Sequence, residues 1–373
     1  MPGKPIKVIY VISRIDKAFA FEWIAKQIDR SRFDVRFVLL NEGLSQLGQF
    51  CAENNIPCKN LHLNGKKSYP RLIIRLFFIF LFQRPKVVHA HLIDASLISL
   101  TAAWLALVPK RIYTRHHSTY HFDYFPKAVR WDRWCNKRAT QIIAISKNVR
   151  KVLIDREGVN PAKVSVVHHG FILSHFSLTK TETAKSLVRK YNPVGKAPVV
   201  GVVARFIELK GIQFIIPAFQ RLLGDYPNAK LLLFNASGDY RESLMQQLSG
   251  LPEGSYEAVV FENDIFSLYN LFDMYVHTPI NMHVEAFGQT YVEALAAGVP
   301  SVFTLSGVAP EFVVDRHNAI VVPFCNPDAI YTAMCELVEN KALAEKLSQN
   351  GRADVKLFEI SNMINKLETM YGK

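Results

Sequence analysis

Two carboxylates framing a tight turn are the residues of this sequence best suited to chemistry. In the stretch from His283 to Pro300, HVEAFGQTYVEALAAGVP, Glu285 precedes the turn at Phe287-Gly288 and Glu293 falls in the first turns of the helix that follows. A helix beginning near Gln289 leaves its first amides, those of Gln289 and Thr290 among them, without intrahelical partners. With the positive end of the helix dipole these amides make a seat for an anionic oxygen. Gly288 lets a ligand approach the backbone closely. Ala294, Ala296 and Ala297 keep the helix thin, Gly298 suits a left-handed cap and Pro300 ends the element. The plain alternative is a surface helix with two solvated glutamates, since acids are seldom buried.

Arg205 and Lys210 form a second candidate group. They bracket the loop between the apolar strand PVVGVVA and a helix opening at Gly211. A guanidinium fork and a point charge at the carboxyl end of a buried strand are what a diphosphate leaving group requires. Histidines make a third group. His116 ends the strand RIYTR, and with His117 and His121 it spells His-His-x-x-x-His. A metal is the sharper reading of that trio, but no carboxylate or thiol set stands at matching spacing, so no metal is expected. His89 and His91 share one face of the strand KVVHAH, either lining a site or hydrogen-bonded in the core.

The pattern Glu285-Ala-Phe-Gly, followed by Glu293-Ala-Leu-Ala-Ala-Gly-Val-Pro, resembles the signature of retaining glycosyltransferases of the two-Rossmann-domain (GT-B) class, family 4. Val202-Val-Ala-Arg-Phe-Ile-Glu-Leu-Lys-Gly is similar to that family's Gly-Arg-x-x-x-x-Lys-Gly segment, with Ala204 in place of the first glycine. The resemblance implies a nucleotide-diphosphate sugar donor such as a UDP- or GDP-sugar, a hydroxyl acceptor and no metal or other cofactor. It implies that Arg205 and Lys210 neutralise the departing diphosphate, that Glu285 and His116 orient the sugar, that Phe287 and Gly288 lie near it, and that Glu293 holds the ribose. Three stretches depart from the family. Ser13-Arg-Ile-Asp-Lys stands where a Gly-Gly-x-Glu loop is common, so Arg14 and Lys17 would replace backbone contacts to an acceptor or phosphate. His168-His169-Gly170 stands where Asn-Gly is common, and Asn235-Ala-Ser-Gly-Asp239 replaces a tighter glycine turn near the nucleotide. A sugar-nucleotide epimerase of the same fold and a non-catalytic nucleotide-sugar-binding subunit are the alternatives.

The elements that must position these residues read as α/β. A continuous apolar, β-branched run at Ile6 to Ile12 is followed by strands at Val35 to Leu40, Val87 to Ala90, Arg111 to Thr114, Gln141 to Ile145 and Val164 to Val167, alternating with helical stretches. A second set follows at Val199 to Ala204, Ala229 to Phe234, Ala258 to Phe261, Met274 to His277, Ser301 to Thr304 and Ala319 to Val322. Two Rossmann-like doubly wound parallel-sheet domains are expected, with ligands at the carboxyl ends of strands in a cleft. The boundaries read as 1–185 for an acceptor-binding domain, 191–355 for a nucleotide-sugar domain, and 356–373 for a terminal helix that, by the resemblance, crosses back to the first. The polar segment Thr179 to Lys196 is the candidate hinge.

With 373 residues, 49% of them hydrophobic, the chain can bury two cores. Five cysteines without a Cys-x-x-Cys pair suit a reducing cytoplasm. The opening residues are too short an apolar run for a signal peptide, and no run reaches the roughly 18 to 20 apolar residues of a spanning helix. The net charge of +13 is unevenly placed: residues 1–190 hold 32 Lys and Arg against 12 Asp and Glu, residues 191–373 hold 13 against 20. A basic first half suits an anionic partner such as a membrane face or a lipid-linked or glycan acceptor, and gives no nucleic-acid module. The expected location is the cytoplasm, or the inner face of the cell membrane as a peripheral protein. Tyr69 to Lys86, nearly all apolar between arginines, reads first as a crossover helix buried on the sheet and second as an interfacial anchor.

Overall fold

The computed structural model describes residues 4–176 and 182–372. Thirteen strands fall into two parallel sheets, one in each of two compact units: residues up to Phe171 together with those from Ile360, and residues Ile172–Glu359.

The first unit holds β1 (Ile6–Ser13), β2 (Phe33–Asn41), β3 (Cys58–His62), β4 (Val87–His91), β5 (Lys110–Arg115), β6 (Gln141–Ala144) and β7 (Val164–Val166), in the order β3-β2-β1-β4-β5-β6-β7. β1 from Val8 onward and the whole of β4 are buried, as expected of central strands with both faces of the sheet covered. The sequence reading passes over β3, whose residues CKNLH are polar and largely solvent-facing at the sheet edge. The terminal helix Ile360–Gly372 belongs to this unit. Its Tyr371 is fully buried, bonded to the Tyr10 hydroxyl and to Nδ1 of His89, and its ring meets Phe33 edge-on.

The same unit encloses a charged cluster. Arg115, 2% exposed, pairs with Asp132 at 3.0 Å and with Glu157, while His117 and His121 hydrogen-bond to the Asp132 carboxylate. Burial pushes the Asp132 carboxyl up, but the two imidazoles and the Arg115 charge outweigh it and hold the group well below the usual range. Asp132→Ala would leave a buried guanidinium with one partner fewer and two imidazoles without theirs. We expect it to cost the first unit roughly 3–5 kcal/mol, read as a lower urea midpoint at neutral pH; an unchanged midpoint would contradict the account.

The second unit holds β8 (Val199–Val203), β9 (Lys230–Phe234), β10 (Tyr256–Val259), β11 (Met274–His277), β12 (Ser301–Phe303) and β13 (Ile320–Val321), in the order β10-β9-β8-β11-β12-β13. Its core packs Val200, Val202, Leu231, Leu233, Val276 and Val302 against the helix Ile212–Asp225. The segment expected as a hinge differs from the reading: residues 182–191 form a helix, and Thr179 to Thr181 lie outside the described residues. Ala184, Leu187 and Tyr191 fall on one helical face and are buried, the Tyr191 ring standing 5.1 Å from Phe234. This helix therefore joins the second unit, and the units part at Phe171–Ile172 rather than between 185 and 191. Polar composition had masked an apolar stripe of period 3.6.

Candidate active site

In the second unit the strand order reverses between β8 and β11, so the loops leaving their carboxyl ends diverge and open a crevice. The loop after β8 carries Arg205 and Lys210; the loop after β11 carries Glu285 and leads into the helix Gln289–Ala297. Strand topology thus brings together residues 75 positions apart. Lys210 Nζ donates to Glu285 Oε1 at 2.5 Å, and His277 Nε2, at the end of β11, stands 3.2 Å from the same oxygen. Burial pushes the Glu285 carboxyl up, yet the Lys210 charge and the His277 hydrogen bond overcome it and keep it well below the usual carboxylate range. The group is a fixed anion. His277 itself is pushed down by burial, and its ring lies edge-on 4.7 Å from Tyr291.

Two glycines let these loops meet. Gly211 has φ +72°, and a Cβ there would land on the Thr278 carbonyl oxygen, so the turn that sets Lys210 beside β11 admits no side chain. We expect Gly211→Ala to destabilise the unit by about 2 kcal/mol or more through strain and displacement, with a drop in thermal midpoint as the readout. Gly288, at φ +85°, is the N-cap of the helix and offers no capping side chain, so the amides that follow are left for other acceptors. A Cβ at Gly288 would stand 2.6 Å from the Tyr291 ring and 3.8 Å from the Glu285 carboxyl carbon, which puts the first turn of the helix against the anion. Gly298 closes the helix in the left-handed conformation, φ +73°. Residues Tyr291 to Ala297 are all buried, so the surface-helix alternative does not hold.

Glu293 is buried too, and its only partner among the described residues is Tyr269, whose hydroxyl donates at 2.7 Å to Oε2. Burial raises its carboxyl to about 7, and the Tyr269 bond offsets only part of that. The two glutamates therefore differ in kind: Glu285 is charged at neutral pH and Glu293 is poised. Phe287 is buried with its ring edge-on to Phe358, 5.7 Å away, and its carbonyl accepts from Val308 N–H. Gln289 is exposed and Thr290 partly exposed at the helix mouth. Arg205 is exposed and makes no ion pair among the described residues. His277 was not singled out from sequence, although a histidine ending a strand at an order reversal is the signal that would have found it. Its Nδ1 and the neighbouring Thr278 Oγ1 are buried without hydrogen-bond partners among the described residues.

His116 lies in the first unit, after β5. Its Nε2 is 3.0 Å from His91 Nδ1 and its ring stacks on His169 at 5.6 Å. Burial and the neighbouring imidazoles keep it neutral, well below its ordinary value. His89 has a structural role, held between Tyr371 and Thr114. His117 and His121 do converge with a carboxylate, Asp132, which is distant in sequence; that oxygen pair is already engaged by both imidazoles and by Arg115. Arg14 pairs with Asp94 at 2.7 Å and Lys17 sits 4.6 Å from the Phe19 ring.

Residues 23–175 match the family model described as Glycosyltransferase Family 4, and residues 184–354 match that described as Glycosyl transferases group 1. The chain is a family 4 glycosyltransferase. As such it uses a nucleotide sugar, and its two parallel α/β sheets form the GT-B fold. This glycosyltransferase is 27% identical over 313 residues to the capsular polysaccharide biosynthesis glycosyltransferase CapM of Staphylococcus aureus, covering 80% of each chain. It is 33% identical over 178 residues to a GDP-mannose-dependent phosphatidylinositol monomannoside mannosyltransferase of Mycolicibacterium smegmatis, 45% of this chain and 46% of that protein. Its fold matches that of Anabaena HepE, crystallised with UDP and glucose, at a TM-score of 0.84 and 19% identity over 99% of this chain and 100% of the other.

Proposed function

We propose that the protein transfers a sugar from a UDP- or GDP-sugar, with retention at the anomeric carbon, to a hydroxyl of a lipid-linked or cell-surface glycan intermediate. The observation that carries this reading is the convergence of Lys210, His277 and Glu285 at the order reversal of the second sheet, beside the uncapped helix at Gly288. Donor binding divides the ion pair. The diphosphate takes Lys210, with Arg205 and the amides of Gln289 and Thr290 sharing its charge, and sugar hydroxyls take the freed acceptor oxygens of Glu285. Glu293 accepts from the ribose hydroxyls.

As the glycosidic bond to the diphosphate breaks, negative charge grows on the leaving oxygen and positive charge on the anomeric carbon. Fixed cations at the first and the Glu285 anion near the sugar stabilise both without moving. The capsular-polysaccharide role of CapM and the phosphatidylinositol monomannoside substrate of the mycobacterial enzyme support a surface-glycan or lipid-linked acceptor, and HepE's complex supports a uridine donor.

Calorimetry against UDP, GDP and ADP tests the donor side, followed by mass spectrometry of reactions with the matching sugar nucleotides and extracted lipid-linked acceptors. The expected result is one nucleotide bound in the micromolar range and one acceptor gaining a single sugar, its linkage shown to be retained by NMR. Absence of binding by all three nucleotides would overturn the reading.

A further inference from the structure

The helix Tyr69–Gln83 buries Leu72, Leu76 and Phe80 on the first sheet, as a crossover helix must. Its opposite face is not polar. Arg71, Ile74, Arg75, Phe78, Leu81 and Phe82 fall on one helical stripe, and all are exposed, Phe82 to 79%. The neighbouring helix Ile93–Leu105 packs beside it and ends at exposed Trp104, with Leu107 in the turn that follows 83% exposed. A third helix, Val129–Arg138, lies against the second. There Trp134 Nε1 donates to Thr101, and the Arg138 guanidinium covers the Trp134 ring at 3.1 Å. Lys66 sits 4.0 Å over Trp131, tying the third helix back to the turn that leads into the first. Large apolar side chains thus share one continuous face with cations.

The charge on these helices is nearly all of one sign. They carry Arg71, Arg75, Arg130, Arg133, Lys137 and Arg138 against two acids, Asp94 and Asp132. Asp94 is engaged by Arg14 and Tyr69, and Asp132 is buried with Arg115, so neither offsets the surface cations. No described helix is long and apolar enough to cross a bilayer. Apolar side chains flanked by arginines, in helices that lie along a surface, match a boundary between acyl chains and anionic headgroups.

We propose that the outer face of these three helices docks the protein on a bilayer bearing anionic lipid, with Ile74, Phe78, Phe82 and Leu107 inserted at the level of the headgroups and Arg71, Arg75 and Arg84 pairing with lipid phosphate and carboxylate. The docking stands apart from the donor chemistry of the second unit, so the two fail separately.

Vesicle flotation of the full-length protein tests it, using phosphatidylcholine alone and phosphatidylcholine with about a third phosphatidylglycerol. The wild type is expected to float with the anionic vesicles, to stay behind with the neutral ones, and to be released by 0.5 M salt, which shortens the Debye length from about 8 Å to about 4 Å. Combined Phe78→Asp and Phe82→Asp substitution should weaken partition roughly tenfold or more. Replacing Arg71, Arg75 and Arg84 by Gln should weaken it about a hundredfold on anionic vesicles alone. Exposed Trp104 and Trp134 should shift their emission to the blue on binding. Circular dichroism and nucleotide binding, both unchanged, would show the variants folded. Equal flotation of wild type and variants overturns the proposal. So does a wild type that ignores both vesicles, including one in which the same face instead forms a dimer seen by sedimentation and abolished by the aspartates.

Discussion

Arg205→Ala is expected to lower kcat by roughly 10²–10³-fold, the usual loss when one fixed charge facing a developing anion is removed. The fold should not notice. The side chain is exposed and holds no ion pair among the described residues, so its truncation should change stability by no more than about 0.5 kcal/mol. Because the leaving diphosphate gains charge only as the bond breaks, kcat should fall more than the donor KM rises. Lys210→Ala gives a useful contrast. It removes a similar charge but also takes the ammonium partner from the buried Glu285 anion, so activity and stability should fall together. A purified Arg205 variant with near-normal kcat would remove the guanidinium from the site.

Glu293→Gln should make the protein more stable and a poorer binder of nucleotide. Burial places the Glu293 carboxyl near 7, well above the 4.5 of a free glutamate, so between those values the folded chain holds a proton that the unfolded chain releases. The group's contribution to stability is intact below about 4.5, declines as pH rises through that window, and stands at its full penalty above 7. At about 1.4 kcal/mol per unit the penalty is on the order of 3 kcal/mol. Glutamine keeps an acceptor for Tyr269 without the charge, so the variant should gain on the order of 2–3 kcal/mol at pH 8 and little at pH 4.5. Ribose hydroxyls, as donors, need the ionised form. Wild-type affinity for the nucleotide should therefore fall up to about tenfold per unit below pH 7, and the variant, titrated alongside, carries only the nucleotide's own ionisation. Parallel pH profiles for the two proteins would sink the assignment.

What the sequence made legible was whatever local patterning alone determines. Largely apolar, β-branched or leucine-rich runs such as IKVIYVIS and KLLLF read as strands covered on both faces, and the turn-helix-glycine-proline order from Phe287 to Pro300 specified a helix and both of its ends. Tyr256–Val259 is paired two residues earlier than its apolar run suggested, since pairing with β9 sets the register. What stayed illegible depends on contacts between distant positions. The pairing of Lys210 with Glu285 follows from strand order, as does the arrival of His277 beside them, and composition carries no trace of either. Asp132 reaches His117 and His121 only because one helix folds back over the loop after β5. The outward apolar stripe of Tyr69–Gln83 was hidden for another reason: both faces of that helix are hydrophobic, so no periodicity separates the covered one from the open one.

The first sheet's core is completed by Tyr371, which meets Tyr10 across 361 positions of the chain. Until it arrives, Tyr10, Phe33 and His89 border a gap that nothing nearer in the chain fills. The first unit therefore cannot close its core until residues Ile172–Glu359, the whole of the second unit, have been made.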